Sequence, residues 1–378
     1  MKNPTPLFIL SVSATLLMIG VGMIVARLPQ RVYSMTGSLE SVGLVASIFA
    51  FAYLLAQMPI SALSDRLGAK RFLIIGYMLC AVSGVVFFFT ETAVGIFLGR
   101  AIQGIGEAPV WALGPAVLSL AYPLTKGRAI GTYNAAIHIG LTAGPVLGLL
   151  VAPKGQGGLP FLIFAVLCLI AGLCVLFFLK PVAIPLGQSR PNLGQLVSLL
   201  RQRQTLILLL GVLLYGAGYG VFLTVLPVSL ASTHGFDDTS ISLLFVVFYA
   251  AISVSQIVAG TLSDRYGRRG FLIWGMALAA GGLSAFPLFF GLWAYVPLGV
   301  ASIGLGMFCV ASIAELNGEA PETLKGAISG SYYVFWSAGY VLGPLSIGAI
   351  SSNTPLIGFG ALAALLGLQA LALVRRHS

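Results

Sequence analysis

Twelve stretches of about twenty apolar residues dominate this chain, at 7–29, 41–62, 72–90, 94–116, 129–152, 160–179, 205–229, 241–262, 271–290, 296–316, 327–350 and 356–374. Each is long enough to cross the hydrocarbon layer of a bilayer as a helix. Charged residues make up only 8% of the sequence, against about 25% in a soluble domain, so the chain cannot cover a surface that faces water. Membrane strands alternate apolar and polar residues, and these stretches do not. In lipid each backbone group must find its partner within its own segment, which selects helices. The expected fold class is therefore all-α and integral to the membrane, with twelve transmembrane helices.

The net charge of +10 reports topology rather than a nucleic-acid partner. With both termini on the cytoplasmic side, sixteen of the twenty Lys and Arg fall in cytoplasmic segments. Arg31 and Lys154 lie outside, and Arg27 and Arg100 lie within spans. This is the positive-inside pattern. Short loops and the lack of an organelle signal point to a bacterial cytoplasmic membrane. The four cysteines fall inside spans with no metal-ligand spacing, so neither zinc nor a disulfide is expected.

A charged string occurs twice: SALSDRLGAKR from Ser61 to Arg71 and GTLSDRYGRRG from Gly260 to Gly270, 199 positions on. Each copy sits between two apolar runs. The likeness extends further. GVGMIVARLP at 20–29 matches GYGVFLTVLP at 218–227, Gln57 matches Gln256, LGRAIQGIG at 98–106 parallels LGVASIGLG at 298–306, and TKGRAIG at 125–131 parallels LKGAISG at 324–330. The chain is thus a duplication, with a six-span bundle in 1–179, a Pro- and Arg-containing cytoplasmic linker in 180–204 and a second six-span bundle in 205–378. Six spans per half point the two copies the same way. A short interfacial helix is expected near 193–203.

The repeated string carries a recognisable pattern. The second copy has Gly260, Asp264, Arg265, Gly267, Arg268 and Arg269; the first has Asp65, Arg66, Gly68, Lys70 and Arg71, with Ser61 and Ala69 as departures. On these residues the chain resembles the major facilitator superfamily of transporters over almost its whole length. The resemblance implies two pseudo-symmetric bundles that work by alternating access, with the charged turns as gates. Asp at a helix end can pair with Arg and with the N-terminus of a neighbouring helix.

Arg100, Gln103 and Glu107 are spaced to share one face of the fourth span. A charge in the membrane costs about 3 kcal/mol or more unless it meets water or a partner. Glu107, with Arg100, Asp65 and His138, is therefore a candidate for proton coupling. The fifth span, GTYNAAIHIGLTAGPVLG, places Gly131, Gly140, Gly144, Pro145 and Gly148 in the spacing typical, within the family resembled, of drug:proton antiporters; Leu149 departs from it. Spans of the second half that line the cavity in that family carry Tyr215, Tyr219, Tyr333 and Trp336. The candidate substrate face comprises these four with Arg27, Gln57, Gln103, Asn134, His138 and Gln256.

The expected function is proton-driven export of a small amphipathic or hydrophobic compound by a monomer in the bilayer. The alternatives are a lipid or lysolipid flippase, a siderophore or metallophore carrier, or an organic-anion transporter. An enzyme is not expected, because no catalytic triad, metal cluster or phosphate-cradling Gly-x-x-x-x-Gly-Lys is present. No cofactor is expected beyond the proton gradient.

Overall fold

The computed structural model describes residues 5–152, 157–181, 193–321, 324–351 and 355–375. Among them, twelve helical segments are long and apolar enough to cross a membrane. The first is α1 (Pro6–Val25) with its continuation α2 (Arg27–Thr36), followed by α3 (Leu39–Leu67), α4 (Ala69–Phe89), α5 (Ala93–Ala121), α6 (Lys126–Val151) and α7 (Leu159–Phe178). A short α8 (Leu193–Leu200) lies where an interfacial helix is expected. The remaining spans are α9 (Arg203–Leu223) with its extension α10 (Val225–His234), α11 (Asp238–Tyr266), α12 (Arg268–Ala285), α13 (Tyr295–Glu319), α14 (Lys325–Ser351) and α15 (Pro355–Arg375). Linker residues 182–192 lie outside the described part.

Local chemistry sets the helix ends. Thr5 accepts the N–H of Phe8 and Pro6 opens α1; Thr92 likewise accepts the N–H of Gly95 at the start of α5. The first and seventh spans break where an uninterrupted run is expected, after Val25 and after Leu223. Each break lies four residues before a proline, Pro29 and Pro227. A proline has no N–H to give the carbonyl four residues back, and its ring crowds that carbonyl. The short helices that follow both end on a left-handed glycine, Gly37 (φ 63°) and Gly235 (φ 69°). Both charged turns pivot on another, Gly68 (φ 86°) and Gly267 (φ 89°). Only glycine enters that region without steric cost, so the duplication is preserved in backbone angles as well as in letters.

The chain divides into two compact units. The first holds Met1–Gly37, Ile48–Gln188 and Asp237–Val246; the second holds Ser38–Ser47, Ser189–Phe236 and Val247–Ser378. Within the first, α1 packs on α6 and α7, and α4 on α5 and α7. Within the second, α9 packs on α14 and α15, and α12 on α13 and α15. Apolar side chains such as Val94, Leu150, Phe177 and Leu368 stand exposed on the outer surfaces, as suits helices solvated by lipid.

Candidate transport site

The polar centre of the first unit is a ladder along α5. Arg100 Nη1 donates to Gln103 Oε1 at 2.8 Å, and Gln103 Nε2 donates to Glu107 Oε1 at 2.8 Å. Trp111 Nε1 donates to Glu107 Oε2 at 3.2 Å, extending the ladder one turn further. The guanidinium carbon of Arg100 also lies 4.3 Å from the centre of the Phe49 ring, a cation–π contact. Arg100 is 5% exposed, Gln103 0% and Glu107 3%. Among the described residues these are the one base and the one acid in the fully buried class. The neutral glutamine bridges them, and both carboxylate oxygens accept from neutral donors. Such a carboxylate can take a proton without breaking a direct ion pair.

The glycines of α6 form a seam against α1. A Cβ at Gly140 would lie 2.8 Å from the Thr15 carbonyl oxygen, and one at Gly144 would lie 2.6 Å from Gly22 Cα. Gly148 faces the Met23 backbone at 3.1 Å, while Gly131 faces open space. Thr15 Oγ1 donates to the Ala136 carbonyl at 3.1 Å across the same seam. Small residues let helix backbones approach this closely. The pattern therefore acts here as a packing device, with Gly131 outside it. In the second unit Gly339 and Gly343 of α14 press on Leu213 and Ala217 of α9, and Gly330 faces open space like Gly131.

The second unit gathers aromatic rings where the first gathers charges. Tyr219 meets Tyr215, Phe248, Trp336 and Tyr340 with ring centres 5.2–6.0 Å apart. Trp336 and Tyr340 stack at 5.1 Å. Beside them Tyr332 Oη lies 3.5 Å from Cys309 Sγ, which Gln256 and Tyr215 also reach. Tyr333 is exposed and its ring meets that of Tyr332, apart from the cluster around Tyr219. Spacing within α14 could have found Tyr340, four residues after Trp336; Phe248, on another helix, left no such trace.

Arg27 does not snorkel to an open surface. Its Nη2 donates to the carbonyls of Gly148 (3.0 Å) and Ala152 (2.7 Å), at the end of α6. Arg31, which spacing does not single out, does the same for α4: it donates to the carbonyls of Phe87 (2.6 Å) and Thr90. Positive charge at a helix C-terminus is favourable, so α2 caps two neighbouring helices with two arginines. Both line a cleft of about 650 Å³ within the first unit.

In the second charged turn, Arg268 donates to the Ala314 carbonyl at 2.8 Å and pairs with Asp264 at 3.4 Å and Glu315 at 3.9 Å. Arg269 donates to the Val374 carbonyl at 3.0 Å, and Arg265 lies over the Tyr266 ring. This turn thereby ties α11 and α12 to α13 and α15. In the first turn Gly68 makes the corner and Arg71 is exposed, while the side chains of Asp65 and Arg66 lie outside the described part. Of the remaining candidates, Gln57 and His138 are half-buried and Asn134 is exposed.

The family model described as Major Facilitator Superfamily matches residues 10–210 and 208–378. The chain belongs to the Major Facilitator Superfamily. It is 25% identical over 335 residues to the synaptic vesicular amine transporter of Bos taurus, covering 86% of this chain and 63% of that transporter. The chain thus spans less than two thirds of the length of that relative. It is 26% identical over 370 residues to the class C tetracycline resistance protein of Escherichia coli, covering 93% of this chain and 90% of that one. A crystal structure of a mutant of the nucleoside transporter NupG superposes with a TM-score of 0.85 at 14% identity, covering 99% of this chain and all of that one. The likeness to NupG establishes the superfamily fold. This member carries the fold and membership of a transporter, with the α5 ladder as the polar centre of its first unit.

Proposed function

We propose that this superfamily member is a proton-coupled exporter of small amphipathic compounds, seated in a bacterial cytoplasmic membrane with both termini inside. The observation that carries this reading is the buried ladder ending in Glu107. A buried acid in a membrane interior is costly unless it is paired or used, and Glu107 is held by two neutral N–H donors rather than by a direct ion pair. Protonation of Glu107 would bias the equilibrium between access states by whatever difference in affinity those states have for the proton. The glycine seam of α6, which resembles that of drug exporters, and the likeness to a tetracycline resistance protein support the outward direction. The amine transporter relative supports a cargo with an amine, and the aromatic cluster around Tyr219 supports one with an apolar body.

The test uses proteoliposomes loaded with a fluorescent amphipathic cation such as ethidium. An imposed pH gradient drives dye movement in the native protein. Glu107→Gln is expected to reduce gradient-driven movement at least tenfold while leaving dye counterflow without a gradient largely intact. Equal gradient-driven rates for native protein and variant would remove Glu107 from the coupling.

A further inference from the structure

One end of the second unit gathers exposed positive charge. Arg203 opens the span of α9, Arg375 closes that of α15, and Arg269 is the second residue of that of α12. Arg201 stands two residues before Arg203, and all four arginines are exposed. Two contacts hold these helix ends together. Arg269 Nη2 donates to the Val374 carbonyl at 3.0 Å, one residue before Arg375. Gln369 Nε2 of α15 donates to the Ile207 carbonyl of α9 at 2.6 Å. As first and sixth spans of the unit, α9 and α15 run in opposite senses. Four residues from that contact therefore lead to Arg203 on one helix and to Leu373 on the other, about 6 Å along each axis. Arg203 thus lies level with the end of α15, about 3 Å from the height of Arg375. The two arginines of the charged turn part here: Arg268 meets Asp264 and Glu315, whereas Arg269 turns to α15. No Asp or Glu occurs in α8, α9, α12 or α15. Among the described residues no ion pair engages Arg201, Arg203, Arg269 or Arg375.

Apolar surface adjoins this charge. Leu206, three residues after Arg203, is 41% exposed, and Leu371, four before Arg375, is 60% exposed. Residues three or four apart share a helix face, so each of these arginines stands over an exposed leucine of its own span. A ligand that fits both carries a negative head at the span ends and an apolar body along the helices. We propose that this patch binds an anionic phospholipid, with its headgroup phosphate among Arg203, Arg269 and Arg375 and an acyl chain along Leu206 and Leu371. Guanidinium groups suit a phosphodiester because their paired N–H donors match two of its oxygens. Arg201 adds to the attraction. A water-soluble glycerol phosphate offers the same head without the body, and the leucines decide for the lipid. The site does not depend on Glu107 or on proton coupling.

Electron spin resonance of spin-labelled phosphatidylglycerol and phosphatidylcholine in liposomes holding the full chain tests it, through the fraction of each lipid immobilised by the protein. Phosphatidylglycerol should be preferred about tenfold, and Arg203→Gln with Arg375→Gln should bring that preference to within about twofold. Neither arginine makes a hydrogen bond or ion pair among the described residues, so the double variant should melt as the native chain does. Arg265→Gln removes a charge from the nearby turn, where Arg265 lies over the Tyr266 ring, and should keep the preference. In the native protein, raising the ionic strength from about 0.1 M to about 1 M should lower the preference about threefold. Glycerol phosphate in the buffer should not displace the lipid. Equal immobilisation of the two lipids by the native chain would overturn the proposal, as would a preference untouched by salt or by the double variant. A loss in Arg265→Gln as large as in the double variant would reduce the patch to diffuse charge and overturn it too. Displacement by glycerol phosphate would make the ligand a soluble anion and end the lipid assignment.

Discussion

The two halves of this transporter share their backbone and differ in their chemistry. In both, a proline breaks the first span of the half, a left-handed glycine ends the helix that follows, and a glycine-rich helix presses on that first span. Where the first half places Arg27, Arg31, Arg100 and Glu107, the second places Tyr215, Tyr219, Trp336 and Tyr340. Arg27 has Val225 as its counterpart 198 positions on, and Arg31 has Ser229. Duplication has kept what fixes the fold and let the polar and aromatic side chains of the two halves diverge. Even matching letters can diverge in use. Gly104 faces Phe49 and Tyr53 of α3, whereas Gly304 faces Gly275 and Ala279 of α12. A likeness in the string therefore does not guarantee the same contact.

The sharpest way to break this comparison is at the seams. Gly144→Val and Gly343→Val should both cost about 3 kcal/mol or more, because the new side chain meets helix backbone 2.5–2.6 Å away and cannot be accommodated by a rotamer change. Gly131→Ala and Gly330→Ala, which face open space, should melt within a degree or two of native. Thermal unfolding in detergent measures all four. A native melting point for Gly144→Val would end the claim that the seam is structural.

The next largest effect separates the polar core from the aromatic one. Arg100→Gln and Glu107→Gln should each destabilise, but the double variant should be less damaging than their sum by about 1–3 kcal/mol, since the ladder couples them. In the second half Trp336→Phe should cost about 1 kcal/mol, the scale of an aromatic pair, with no such coupling to either. Additive effects for Arg100 and Glu107 would show the ladder to be three independent residues.

Smaller still is the charged turn. Arg268→Ala should cost no more than about 1 kcal/mol from its ion pairs, because Asp264 is 70% exposed and such pairs are worth little in water. The effect should shrink as salt rises.

The smallest effect is a pH signature peculiar to the second half. His234, outside the spans, is packed among Phe236, Phe286 and Phe290. Burial holds its imidazole below its usual 6.5. The unfolded chain then binds more protons than the folded one just below pH 6.5, so stability falls as pH drops from there through the folded value. His234→Phe should flatten that part of the melting-point profile, and an unchanged slope would place the titrating group elsewhere.

Much of this architecture is legible in the letters because hydropathy, duplication and proline position act locally. The span count, the corner glycines and the shared face of Arg100, Gln103 and Glu107 all follow from spacing along one helix. The breaks after Val25 and Leu223 are written in Pro29 and Pro227, yet hydropathy runs straight through both. What spacing does not carry is any contact made between distant segments. The capping of α4 by Arg31, the place of Phe49 under Arg100 and the meeting of Tyr219 with Phe248 each join different helices.

The arginine clamps on α4 and α6 have one more consequence. A guanidinium keeps its proton at any acidity a cell membrane meets. Those clamps are thus blind to the very gradient proposed to power the carrier, and added acid would leave them in place. The proposed coupling runs instead through Glu107, a buried carboxylate that takes no part in those clamps.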